Sequence, residues 1–177
     1  MSEATLRDAA PADLEAITAI YNEAVENSTA SWDDVPLTLE NRRVWFDGLQ
    51  RPGATAVVVE RGGAVVGYAA YGTFRDKPGY RATVEHSIYL APEARGQGLG
   101  SLLLAELVRR ARAEGLHAMV GGLSGDNEAS LRLHRAYGFQ EVARFPQVGQ
   151  KFGRWLDLVM LQLLLDQREA PRGPTPA

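Results

Sequence analysis

The chain has 177 residues, enough for one domain with a sizeable core, and its 45% hydrophobic and 23% charged content is ordinary for a globular protein. A net charge of −3 and a pI near 5.7 argue against a nucleic-acid-binding surface. The absence of cysteine excludes a disulfide framework and a thiol nucleophile. Met1–Thr5 carries no apolar signal core and no run approaches the ~18 apolar residues of a membrane span, so a cytoplasmic enzyme with no membrane partner is expected.

In chain order, a first strand is predicted over Thr5–Ala9. Pro11 suits a first helical turn and Asp13 complements its dipole, after which Leu14, Ile17, Tyr21 and Ala24 recur at helical spacing. A second helix is expected over Asn41–Leu49. Ala56–Glu60 and Ala64–Thr73 read as a hairpin around Arg61-Gly62-Gly63. A strand over Thr83–Leu90 precedes a helix over Leu99–Glu114, closed by Gly115. His117–Leu123 is a further strand, Glu128–Tyr137 a helix ended at Gly138, and Phe139–Phe145 and Trp155–Leu165 are late strands. Strands before and between helices give a mixed α/β sheet rather than a purely parallel one. Residues 1–166 form one expected domain, and the proline-rich 167–177 reads as a disordered tail.

Between the fourth strand and the third helix stands Arg95-Gly96-Gln97-Gly98-Leu99-Gly100-Ser101. Strand, glycine-rich turn and helix together aim backbone N–H groups and a helix N-terminus at an anion, and glycines admit a close phosphate. A tight turn without a ligand is the competing reading. No lysine stands near Gly100, which excludes a P-loop, and Gly100 follows Gly98 by two positions, which excludes a dinucleotide fingerprint.

Two other places carry chemistry. In the Thr83–Leu90 strand, Glu85, Ser87 and Tyr89 share one face, and Val84, His86, Ile88 and Leu90 the other. A mid-strand carboxylate reads either as an edge charge or as a general base whose pKa partial burial raises. Asn127, Ser130, His134 and Tyr137 form a polar stripe on a helix; it reads as a solvated face, Asn127 as an N-cap, or as part of a site. The three histidines, His86, His117 and His134, are scattered without ligand spacing, so no metal is expected.

The Arg-x-x-Gly-x-Gly run resembles the acetyl-coenzyme A (acetyl-CoA) pyrophosphate loop of the GNAT superfamily of N-acetyltransferases. Thr83-Val84-Glu85-His86-Ser87 is similar to the catalytic segment of its phosphinothricin and methionine-sulfoximine acetyltransferase branch, and Asn127-x-x-Ser130 followed by Tyr137-Gly138-Phe139 resembles the superfamily's pantetheine segment. The resemblance covers roughly Thr5–Leu165 and implies a central, mixed, mostly antiparallel twisted sheet flanked by helices. It implies Glu85 as general base and Tyr137 as the acid that protonates the departing sulfur. It further implies that acetyl-CoA is held by Arg95 to Ser101, Asn127, Ser130 and the backbone of Ile88, Tyr89 and Leu90, where an N–H would meet the carbonyl oxygen. The acceptor loop Phe74-Arg75-Asp76-Lys77-Pro78-Gly79-Tyr80-Arg81 departs locally from the branch at Asp76-Lys77-Pro78. Read from its residues alone, it is either a solvated charged loop or a grip for an acid group through Arg75 and Arg81, with Lys77 as a point charge. The branch pattern favours the grip, and adds Trp32, His86 and Ser87 to the acceptor side. Lys151 to Asp157 matches a branch segment of structural or dimer-related character. The expected reaction is acetylation of the α-amino group of a small amino acid or analogue, such as methionine sulfone, methionine sulfoximine or phosphinothricin, by a homodimer. Acetylation of a protein N-terminus or another small amine, and a non-catalytic acyl-CoA-binding module, are the alternatives.

Overall fold

The computed structural model describes residues 3–49 and 51–171. Seven strands form one sheet in the order β1-β2-β3-β4-β5-β7-β6. They are β1 (Ala4–Asp8), β2 (Thr55–Arg61), β3 (Ala64–Thr73), β4 (Thr83–Leu90), β5 (Ala118–Ser124), β6 (Gln140–Lys151) and β7 (Arg154–Leu164). Every neighbouring pair is antiparallel except β4 and β5, as the mixed, mostly antiparallel sheet requires. The helices are α1 (Leu14–Asn27), α2 (Leu39–Asp47), α3 (Leu99–Ala113) and α4 (Glu128–Ala136). They cover both faces. Tyr68 of β3 packs edge-on against Trp45 of α2, whereas Tyr71, on the opposite face, donates to Glu114 just past α3. The core is mainly aliphatic and continuous, from Ile17 of α1 through Val57–Val59 of β2 to Leu103, Leu104 and Leu107 of α3 and Leu161 of β7, with Phe46, Tyr68, Tyr71 and Phe139 as its aromatic members.

Local chemistry moves several boundaries. Pro11–Asp13 is a separate 3₁₀ turn, and α1 starts only at Leu14. Asp13 accepts from the Ala10 N–H at 2.8 Å and pairs with Arg7 at 2.6 and 2.8 Å, so it closes the turn and ties it to β1. Helix α2 opens two residues earlier than expected because Thr38 caps it, accepting from the Asn41 N–H. Strand β6 runs six residues past Phe145 to Lys151, through a register shift between Phe145 and Gly149 that accommodates Pro146 and a left-handed Gln147. Of the expected tail, residues 172–177 lie outside the described residues; Arg168 is anchored, donating to the Gly115 carbonyl at 2.7 Å and pairing with Asp166.

Candidate active site

The parallel ladder between β4 and β5 is only three residues long, Thr83–Glu85 against Ala118–Val120. Beyond Glu85 the strands part, while β4 stays paired to β3 as far as Leu90. Among the described residues, the β5-facing edge of Ile88, Tyr89 and Leu90 therefore has no strand partner; Arg95 holds its Leu90 carbonyl, and the other polar groups on that edge are available to an extended ligand.

Glu85 sits at the fork. Its cross-strand neighbour is Gly72, and Gly122 of β5 leaves room beside its carboxylate: a Cβ there would stand 3.6 Å from Oε1. The side chain is 40% exposed and lies 4.0 Å from the Arg75 guanidinium. Burial pushes its pKa up, and Arg75 opposes the rise. Glu85 and Ser87 line a cavity of about 340 Å³ whose other wall is α2, with Val44 and Trp45, and the following Arg51. The motif reading missed Trp45 and Arg51, which reach the pocket only through the packing of α2 on the sheet.

On the other side of the fork runs a groove of about 790 Å³, lined by Ile88–Leu90, Arg95, Gly96, Gly98, Gly100, Ser101, Asn127 and Ser130. Gly96 and Gly98 have φ of +72° and +80°, and a Cβ on either would project into open space. The turn therefore needs glycine for its backbone, and its outer surface stays free for a bulky anion at the uncapped start of α3. Gly100 instead makes room for helix packing, since a Cβ there would stand 3.3 Å from Leu133 of α4. Leu99 is core. Arg95 is engaged by the protein, pairing with Glu23 of α1 and donating to the Leu90 carbonyl at 3.2 Å. Gln97 bonds Arg61 and the Glu93 carbonyl.

Asn127 is the N-cap of α4, its Oδ1 accepting from the Ser130 N–H at 3.1 Å, and it faces the groove as well. The Tyr137 hydroxyl lies 3.0 Å from both Oγ and the carbonyl oxygen of Ser101. The stripe from Asn127 to Tyr137 thus faces inward rather than solvent. His134 is 3% exposed and meets the likewise buried His86, 7% exposed, correcting the view of the histidines as scattered; no third metal-ligating group joins them among the described residues. His86 lies on the face of β4 opposite Glu85, so it supports the site from the core and does not face the acceptor pocket.

The acceptor-side residues divide. Arg75 stands over the Phe74 ring and beside Glu85, whereas Arg81 folds back to donate to the Pro78 carbonyl at 3.1 Å. Asp76 and Lys77 are exposed on the same loop. Trp32 packs on Gly149 of β6, where a Cβ would collide with its ring, and Lys151 donates to the Ser31 carbonyl at 2.5 Å. With Asp126 holding both Thr29 and Arg154 at 2.8 Å, the β6–β7 hairpin straps the loop after α1 along the groove. Trp32 is part of that strap.

A third space borders both the pocket and the groove. A cavity of about 60 Å³ in the fork shares Ser87 with the Glu85 pocket, and Ile88, Tyr89, Asn127 and Ser130 with the groove. A forked sheet with an open glycine turn at a helix start on one side and a carboxylate pocket on the other defines an acetyltransferase of the GNAT type. The chain belongs to the acetyltransferase (GNAT) family, whose model matches residues 17–139. It is 52% identical over 170 residues to the L-methionine sulfoximine/L-methionine sulfone acetyltransferase of Pseudomonas paraeruginosa, a match covering 95% of this chain and 99% of that one. It is 38% identical over 160 residues to the phosphinothricin N-acetyltransferase of Streptomyces coelicolor, covering 89% and 94%. The crystal structure of a phosphinothricin acetyltransferase from Sinorhizobium meliloti in complex with acetyl-CoA matches with a TM-score of 0.93 at 42% identity, over 98% of this chain and 94% of that one.

Proposed function

We propose that this enzyme acetylates the α-amino group of a small amino acid whose side chain ends in a tetrahedral, oxygen-rich group, of the methionine sulfone, methionine sulfoximine or phosphinothricin type. The reading rests on the 60 Å³ cavity that borders both the Glu85 pocket, at Ser87, and the groove, at Ile88, Tyr89, Asn127 and Ser130, since an amine and a thioester held in those two spaces would meet at the fork. Acetyl-CoA fits the groove: its pyrophosphate lies on the Gly96–Gly98 turn, its pantetheine arm runs along Ile88–Leu90, and Asn127 and Ser130 flank it. It supplies the activated acetyl carbonyl. Glu85, its proton affinity raised by burial, takes a proton from the acceptor ammonium. Arg75, 4.0 Å away, holds the acceptor carboxylate so that the amine faces Glu85. The Tyr137 hydroxyl, oriented by Ser101, protonates the departing thiolate.

The named acceptors of the relatives support the substrate class, and Arg51 in the pocket lining, with Arg75 beside Glu85, suits an acceptor carrying acid groups. No described helix is long and apolar enough to cross a membrane, and the proposed setting is the cytoplasm. The proposed assembly is a homodimer through the exposed apolar residues of the β6–β7 hairpin. A screen of amino acids and their sulfone, sulfoximine and phosphinate analogues with acetyl-CoA, reading released thiol, tests the function. Acetylation of the free amino acids and not of their α-amides is expected. Preference for amines without a carboxylate would overturn the acceptor assignment.

A further inference from the structure

His86 and His134 meet across the floor of the fork with Nε2 atoms 2.8 Å apart. His86 Nδ1 lies 2.8 Å from the carbonyl oxygen of Val120, the last residue of β5 still paired to β4, and His134 Nδ1 lies 2.7 Å from the Ser130 carbonyl oxygen. A carbonyl only accepts, so both Nδ1 atoms carry hydrogen in this arrangement, and the Nε2–Nε2 contact needs one more. Three protons are required where two neutral rings hold two. We propose that His86 and His134 are positioning residues that bind one exchangeable proton between them and, through it, set the donor direction of the Ser130 hydroxyl at the groove.

Among the described residues, the groups that face the pair supply no compensating charge. His86 faces Val120 and Gly121 of β5 and the Phe139 ring beyond α4; His134 faces Ser130 on its own helix and the same Phe139. Tyr71, opposite His86 on β3, directs its hydroxyl to Glu114, and Glu85 projects from the other face of β4. Burial, with His134 next in effect, pushes His86 down to about 3, and burial lowers His134. As pH rises the third proton leaves for solvent, and one contact must change hands. His86 keeps its Nδ1–H on Val120, the carbonyl that this nitrogen faces. His134 keeps its Nε2–H for His86 and gives up the Nδ1 proton, since the Ser130 hydroxyl, 3.4 Å away, can turn and donate to the bared nitrogen. Ser130 Oγ then faces the groove purely as an acceptor, suited to an amide N–H of an extended ligand. This last step rests on the acetyl-CoA reading; the proton does not.

The chain's three histidines make ¹⁵N-histidine NMR direct, with His117→Gln assigning the third ring by its loss. For free enzyme titrated between about pH 8 and pH 4.5, the proposal expects hydrogen on His86 Nδ1 and His134 Nε2 at the alkaline end, and one further proton appearing on His134 Nδ1 below the range of an ordinary imidazole. Ser130→Ala removes the compensating donor and should raise that midpoint by about half a pH unit or more. His134→Phe should raise KM for acetyl-CoA about threefold or more with little effect on kcat, and His134→Gln, whose amide can both donate to His86 and accept from Ser130, should restore it. A pair that holds two protons down to the acid end, a hydrogen on His134 Nδ1 at the alkaline end, or a midpoint indifferent to Ser130→Ala would overturn the proposal. Failure of acetyl-CoA to bind wild-type enzyme would overturn the assigned function and leave the NMR result standing.

Discussion

Glu85 carries the sharpest consequences of single-residue chemistry. Glu85→Gln keeps the shape and removes the base, so kcat/KM for acetyl transfer should fall by roughly 10²–10⁴ near neutral pH while acetyl-CoA affinity holds. Equal activity of the variant at every pH would exclude the carboxylate as base. Because burial raises the carboxyl's pKa, the wild-type acid limb should lie above the ordinary carboxylate range. Arg75 opposes that rise, so Arg75→Ala should move the limb to still higher pH, visible in kcat/KM–pH profiles. The same sign governs stability. A carboxyl with a raised folded-state pKa favours the fold while protonated and costs stability as pH climbs through that value, so Glu85→Gln should raise Tm at pH 8 more than at pH 4. The alternation that separates Glu85 from His86 was legible in five letters of sequence, since a strand's faces follow from its period. The partner of His86 was not, because 48 residues separate it from His134 and only the packing of α4 on the sheet joins them.

At the scale of elements, the fork depends on glycines in opposite ways. Gly98 caps α3 with φ of +80° and a free outer face, so Gly98→Val should strain the turn and crowd the anion site. Acetyl-CoA should bind more weakly, while an acetyl-pantetheine fragment is much less affected; equal loss for both, measured by calorimetry on folded protein, would reject the turn as the pyrophosphate seat. Gly121 of β5 lies under the His86 ring, and a Cβ there would stand 2.7 Å from Cε1. Gly121→Ala should cost about 1–3 kcal/mol in denaturant unfolding and disturb the fork, because the buried ring has little space to yield into. Elements with strong local signals, such as the apolar period of α3 and the glycine turn of β2–β3, were readable nearly to the residue. The run of β6 past Pro146 was not, because a proline and a left-handed residue contradict a strand locally, and only the pairing with β7 resumed at Gly149 carries the strand across that irregularity.

For the molecule as a whole, the alternation of strands and helices made a mixed sheet readable, but the strand order and the single parallel contact are products of tertiary pairing that no local pattern encodes. The same sheet ends in a structural problem. Strand β6, 12 residues long, is hydrogen-bonded to β7 on one side and forms the outer edge on the other. The hairpin it makes exposes Phe145 at 48%, Val148 at 55% and Trp155 at 65%. A long edge with exposed apolar side chains pairs readily with another chain, and the bulges and the Arg144–Glu141 ion pair are slight protection. A second copy of the chain would cover the ridge without extending the sheet indefinitely, because a two-fold contact closes on itself. Light scattering on a sizing column should therefore give the mass of two 19.3 kDa chains at micromolar concentration. Trp155→Glu combined with Phe145→Lys should give one chain, since each variant places an ion where the interface must be dry. The strap on the groove loop uses Lys151, Gly149 and Arg154, which these changes leave in place, so the monomer should still bind acetyl-CoA. A wild-type chain that elutes with the mass of one across that range would remove the homodimer and leave the ridge as solvent-facing surface.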